Sequence, residues 1–200
     1  MKKFELTGEF IVYFGKKLFR IKALIDFGDV KRGEVGGFVE KEENLSQDDN
    51  AWVSGDARVY GDARVYGNAR VSGNAWVSGN AWVSGDAWVS GNAWVSGDAR
   101  VSGDARVYGD ARVSGDAWVS GNAWVYGNAD YACVKGFGRA CRNTTFFRTQ
   151  DGGVSVVCGC FHGTLQEFRE KVKETHGESK MAKEYLMIAD LMKMHFDKEA

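Results

Sequence analysis

The chain has 200 residues, with 26 Lys plus Arg against 27 Asp plus Glu, 26 Gly and no Pro. That length allows one domain or a repeat array with caps, and the near-cancelled charge excludes a bulk nucleic-acid surface as the working reading. No apolar run reaches the roughly 20 residues that a bilayer span needs. Met1-Lys2-Lys3 is basic, but the FIVYF that follows is too short for a signal-peptide core. Cys133, Cys141, Cys158 and Cys160 show no disulfide-framework spacing. These features lead us to expect a cytoplasmic protein with reduced thiols and no membrane partner.

Residues 1–49 read as an N-terminal cap. EFIVYF and LFRIKALIDF flank Gly15-Lys16-Lys17 and predict a hairpin over 4–27, with Phe19, Ile21, Ala23 and Ile25 on one face. A Gly-rich, acidic connection follows. In it Val39 and Leu45 fall twelve and six residues before Ala51, so the coil that follows can begin ahead of Asn50.

From Asn50 to Gly127 the chain repeats Asn/Asp-Ala-Trp/Arg-Val-Ser/Tyr-Gly thirteen times without a gap, within a unit read as 50–133. Residues two apart in an extended chain share a face. Ala and Val therefore point one way, and Trp/Arg and Ser/Tyr the other. Gly with Asn/Asp supplies a corner. One such strand buries nothing alone, and stacked coils turn the Ala and Val columns into a narrow continuous core.

Read from valine, the unit Val-Ser/Tyr-Gly-Asn/Asp-Ala-Trp/Arg resembles the hexapeptide repeat of left-handed parallel β-helices. The resemblance implies the left hand and three hexads per coil, hence a little over four coils. It sorts the outward residues onto three faces: Trp52, Arg70, Trp88, Arg106, Trp124; Arg58, Trp76, Trp94, Arg112; and Arg64, Trp82, Arg100, Trp118. All seven tryptophans are then expected outside. Each guanidinium would lie about 5 Å from an indole in the next coil, within cation–π reach. Such ladders can serve the stack alone. They can also bind, because Arg meets phosphate and Trp or Tyr stacks a base. Arg70, Trp88, Arg106, Tyr108 and Trp124, with Trp82, Arg100 and Trp118, are the candidate ligand-binding residues.

Residues 134–200 follow a different grammar. NTTFFRTQ-DGG-VSVVCGCF predicts a β-hairpin with an Asp-Gly turn. Thr164-Leu-Gln-Glu is a capping box that starts a helix at Leu165, ended by His176-Gly177. Ser179 caps a second helix to about Phe196. Its wide apolar arc asks for cover on two sides, and a second subunit is a natural source. The fold class expected is mainly β: a β-helix solenoid with an N-terminal β-hairpin cap and a C-terminal β-hairpin plus two α-helices.

The segments GGFVEKEENLSQD and FFRTQDGGVSVVCGCFHGTLQEFREKVKETHG, with the repeat, resemble uncharacterised phage and prophage proteins of Gram-positive bacteria. That resemblance implies a viral origin and carries no chemistry. Acyltransferases with this β-helix use a histidine beside the coils, and β-helical carbonic anhydrases hold zinc with three. The array has no histidine and no inserted loop, so neither enzyme is expected, nor any cofactor. Cys158 and Cys160 are read on one strand face near His162, but Cys-x-Cys is a weak metal spacing, and no metal site is assigned. The expectation is a non-catalytic homo-oligomer, trimer or dimer, that captures a small nucleotide or a host protein. The alternative is a structural or protein-interaction scaffold.

Overall fold

The computed structural model describes residues 2–139 and 141–197. Strands β1 (Phe4–Tyr13) and β2 (Lys16–Ala23) form the expected hairpin, turning at Phe14-Gly15 with φ of 46° and 75°. Along β2, Ile21 and Ala23 join the solenoid core, while the rest of the expected face is less covered. Leu18, Ile21 and Ala23 are buried, whereas Phe19 is half-buried against Phe10 and Ile25 lies beyond the strand. Where β2 meets β3 (Val35–Val39) the register shifts between Arg20 and Lys22, with the extra residue on β3.

Thirteen two-residue strands follow, β4 to β16: Trp52–Val53, Arg58–Val59, Arg64–Val65, Arg70–Val71, Trp76–Val77, Trp82–Val83, Trp88–Val89, Trp94–Val95, Arg100–Val101, Arg106–Val107, Arg112–Val113, Trp118–Val119 and Trp124–Val125. Trp88 pairs with Arg70 on one side and Arg106 on the other, all parallel, so three hexads make one coil. The three faces are parallel sheets: β4, β7, β10, β13, β16; β6, β9, β12, β15; and β5, β8, β11, β14, which β3 and the hairpin extend. Between coils the strands are laddered, as in Trp88 N–H to Ala105 O at 2.9 Å and Ser90 N–H to Val107 O at 2.9 Å.

Every Ala and Val of the array from Ala51 to Val125 is buried. Alternation thus does what the pattern requires. The corners need glycine. Gly85 has φ +67°, and a Cβ there would lie 2.9 Å from Gly103 N in the next coil.

The coil does begin early, though in a different phase from that expected. Val39 pairs with Val59 and Leu45 with Val65, so both occupy valine slots. Two extra residues between Leu45 and Val53 absorb the shift. β3 and Leu45 add a rung to the two four-stranded faces, so the solenoid has about five coils rather than a little over four.

Both ends are closed. At the first coil, Lys3 is 2% exposed. Its ammonium donates to the carbonyls of Asp49 and Ala51, both at 2.9 Å, and lies 3.5 Å from the Asp49 carboxylate. Burial nevertheless pulls its pKa down, against the pull of Asp49. Buried Asn44 donates to Gly61 O and Ala63 O, satisfying open carbonyls of the next coil.

At the last coil, β17 (Tyr131–Phe137), β18 (Arg142–Arg148), β19 (Val154–Cys158) and β20 (Phe161–Thr164) form an antiparallel sheet. The expected hairpin is β18–β19, while β17 and β20 extend it on either side. Thr145 Oγ1 accepts from Trp118 N–H at 3.0 Å, and Phe147 joins the solenoid core. One residue along, Phe146 faces the other way, into a second core with Phe168, Tyr185, Met192 and Phe196.

That second core is roofed by α1 (Leu165–His176) and α2 (Lys180–Phe196). Thr164 and Glu167 form the expected capping box, and Ser179 Oγ accepts from Ala182 N–H at 3.2 Å. Among the described residues, no helix is long and apolar enough to cross a membrane.

Candidate functional site

The outward slots of the array form three ladders, and the structure pairs them as the three-hexad period requires. Arg100 sits between Trp82 and Trp118, with its guanidinium carbon 5.2 and 5.6 Å from the two rings. Arg106 lies 5.6 Å from Trp88, Arg58 lies 5.2 Å from Trp76 and Arg112 lies 5.0 Å from Trp94. The one break in alternation, Trp76 beside Trp94, is a parallel stack with centroids 4.4 Å apart. Parallel in-register strands place identical slots one strand spacing apart, which is why indole and guanidinium planes can meet face to face.

The corners carry a second ladder. Asn50 donates to Asn68, and Asn68 to Asp86 at 2.8 Å. On the other corners Asn80 donates to Asp98 and Asn92 to Asp110. An amide has both a donor and an acceptor, so Asn links coils that Asp alone would drive apart. The caps add counter-charges at the column ends, Lys41 on Asp62 at 2.7 Å and Lys135 on Asp116.

Not every tryptophan is exposed, contrary to expectation. Trp52 points away from the bore but is 1% exposed, because the N-terminal cap covers it. Phe27 and Phe4 meet it edge-on at 5.4 and 6.5 Å, and its Nε1 has no partner among the described residues. Arg70, one coil on, is ion-paired with Asp29 of the same cap, and burial lowers its pKa from the usual arginine value. Arg70 is therefore withdrawn from the open surface.

At the other end Trp124 is half-buried with a buried Nε1, and Tyr108 packs on Trp124 and Tyr126 at 6.0 and 4.9 Å. Burial, and then the charge of Asp130, pushes the Tyr108 phenol up. The open members are Trp82, Trp88, Arg100, Arg106 and Trp118, with Trp88 at 52% exposure.

The pattern of Trp and Arg did not reveal where the wall is concave. A cavity of about 330 Å³ is bounded by Glu43, Ser46, Arg64, Tyr66 and Trp82. The available signal was tyrosine in the serine slot at Tyr66, which stands edge-on to Trp82 at 6.2 Å. Tyr13 of the hairpin was also missed. It packs on Trp76 at 4.6 Å and receives Arg58 at 5.0 Å, continuing the aromatic wall onto the cap.

Cys158 and Cys160 border one cavity of the C-terminal unit, and His162 is not part of its lining. Cys158 ends β19 and meets Thr144 Oγ1 at 3.1 Å, and Cys160 lies in the following turn. His162 pairs with Val157 on the opposite sheet face, against Gly121 of the solenoid. Among the described residues, no three His, Cys, Asp or Glu side chains are placed to share a metal ion.

No curated protein matches the chain. Residues 63–79, 93–109, 99–115 and 105–121 match the family model described as the YdcK beta solenoid repeat, which agrees with the coils seen here.

Proposed function

We propose that this protein is a non-catalytic binding scaffold whose solenoid wall holds a small planar anion, and that the anion is a nucleotide. The finer reading is a phage or prophage product in the bacterial cytoplasm that sequesters a host immune nucleotide signal. The observation that supports binding is the open centre of the first face. Trp88 is half exposed beside Arg106 on a rigid ladder, while cap residues cover Trp52 and Arg70. A pre-set indole offers a stacking surface without further ordering, and a guanidinium next to it matches phosphate. Titration calorimetry and thermal shift against a panel of cyclic and linear nucleotides test this. Heat that disappears in Arg106→Ala and Trp88→Ala is expected. Neither heat nor a shift across the whole panel removes the nucleotide reading.

A second reading, assembly through the C-terminal helices as a dimer or trimer, is favoured by one observation. Met187, Leu191 and Met194 of α2 are 71%, 51% and 69% exposed at i, i+4 and i+7 spacing, a single apolar stripe. Light scattering decides it, since a strict monomer at micromolar concentration excludes this assembly.

A further inference from the structure

The C-terminal unit holds a cavity of about 610 Å³ between α1, α2 and the β19–β20 turn. That volume lies within the roughly 300–1,000 Å³ of small-molecule sites. One side is cationic, formed by Arg139, Arg142 and Lys171, with His176 beside them. Among the described residues no carboxylate lines it. Lys171 is shared with Glu174 at 2.9 Å, but Arg139 and Arg142 enter no ion pair among those residues. The chain as a whole has a formal charge of -1, so this is a local concentration of positive charge on a nearly neutral protein.

The rest of the lining is largely aromatic. Phe161 and Phe168 lie 5.6 Å apart, Tyr185 stands perpendicular to Phe168 at 5.8 Å, and the His176 ring stacks on Tyr185 at 6.0 Å. Tyr185 O–H donates to Phe137 O at 3.2 Å, which fixes the ring. Arg142 is laid over the turn at Gly159, where a Cβ would fall 2.4 Å from Nη1, and Gly159 itself has φ +62°. The solenoid arginines Arg100 and Arg106 lie over indoles, whereas Arg142 lies beside the Gly159 backbone and lines the cavity.

We propose that this cavity binds a small aromatic anion, its carboxylate or phosphate held by Arg142 and Arg139 and its ring held against Phe161, Phe168 and Tyr185. Both head groups fit a guanidinium fork. A bare inorganic anion would leave the aromatic side without a partner. The assignment stands apart from the nucleotide reading of the solenoid wall.

Cys160 lines the cavity and is exposed, which gives a direct probe. Cys133 lies beside Thr145 on the solenoid side of the sheet and serves as the internal control. The full chain is alkylated with iodoacetamide and each cysteine followed by mass spectrometry, with phenyl phosphate, benzoate or inorganic phosphate present. Phenyl phosphate, benzoate or both should slow Cys160 labelling while Cys133 is unaffected, and whichever protects identifies the head group. Arg142→Ala should weaken that protection about tenfold, the loss expected for one charge-assisted contact. Its thermal melt should be unchanged, since the side chain makes no hydrogen bond among the described residues. If that variant does not fold, Arg139→Ala carries the same expectation.

Trp88→Ala should leave protection intact, which separates this site from the solenoid wall. Absence of protection by either aromatic anion overturns the proposal. So does equal protection by inorganic phosphate alone, or protection that survives loss of both arginines.

Discussion

Trp52 and Trp88 occupy the same slot of the same sheet, two coils apart, and live in opposite environments. Around Trp52 the N-terminal cap contributes Phe4, Phe27 and, on the neighbouring Arg70, Asp29. Around Trp88 there is only the ladder itself, with Arg106 at 5.6 Å and the rest open to water. An identical repeat therefore has a structural end and an accessible middle. The flanking segments decide which is which, and they do so by covering the outward side chains and leaving the inward ones alike.

The largest test asks whether the interior really is uniform while the exterior is not. Val89 is fully buried between Val71 and Val107, directly behind Trp88. Val89→Asp places a carboxylate in a column of methyl groups with no partner, which costs several kcal/mol. Urea denaturation should show a folded state lost or reduced to a small fraction. A variant of near wild-type stability would mean that this column is hydrated and the inside and outside assignments are reversed.

A smaller effect is expected at the covered end. Trp52→Ala removes a buried indole between two phenyl rings and should cost roughly 3–5 kcal/mol, the range for large aromatic truncations in a core. The unpartnered Nε1 of Trp52 lowers this somewhat, since its removal relieves a buried donor. The check is a shift of the denaturation midpoint with the slope unchanged. A loss below about 1 kcal/mol, the scale of surface substitutions, would show that the cap does not pack on the coil.

The coils were legible because their signal is repeated: Ala and Val two apart, Gly in one phase, and Trp against Arg at a spacing of three hexads. The C-terminal helices were legible for another reason, the cap residues Thr164, Glu167 and Ser179, whose side chains act locally. What the sequence concealed depends on contacts between distant segments. Nothing in the Trp52 hexad distinguishes it from the Trp88 hexad, because Phe4 and Phe27 cover one and not the other only after the hairpin has docked. Strand β17 was hidden for a similar reason. Tyr131–Phe137 carries two-faced, half-exposed residues, and its strand state comes from pairing with β18. Arg142 reaches the cavity only once the Gly159 turn is folded beside it.

The smallest effect is the one that sharpens the comparison most. Trp88→Ala truncates a half-exposed indole whose main neighbour is a guanidinium, so it should cost no more than about 1 kcal/mol, the scale of an exposed cation–π contact. Pairing it with Arg106→Ala in a double-mutant cycle isolates the contact, with a coupling of about 0.5–1 kcal/mol expected. Trp52 and Arg70 give the control, because there the cap and Asp29 add terms that the simple ladder lacks. If the Trp88 truncation costs as much as the Trp52 one, Trp88 is buried in solution. The open stacking surface on which the proposed nucleotide capture depends would then be covered by another molecule of the chain. A loss of no more than about 1 kcal/mol on Trp88→Ala, together with loss of ligand heat, is the result that makes the middle of the ladder a binding surface rather than a strut.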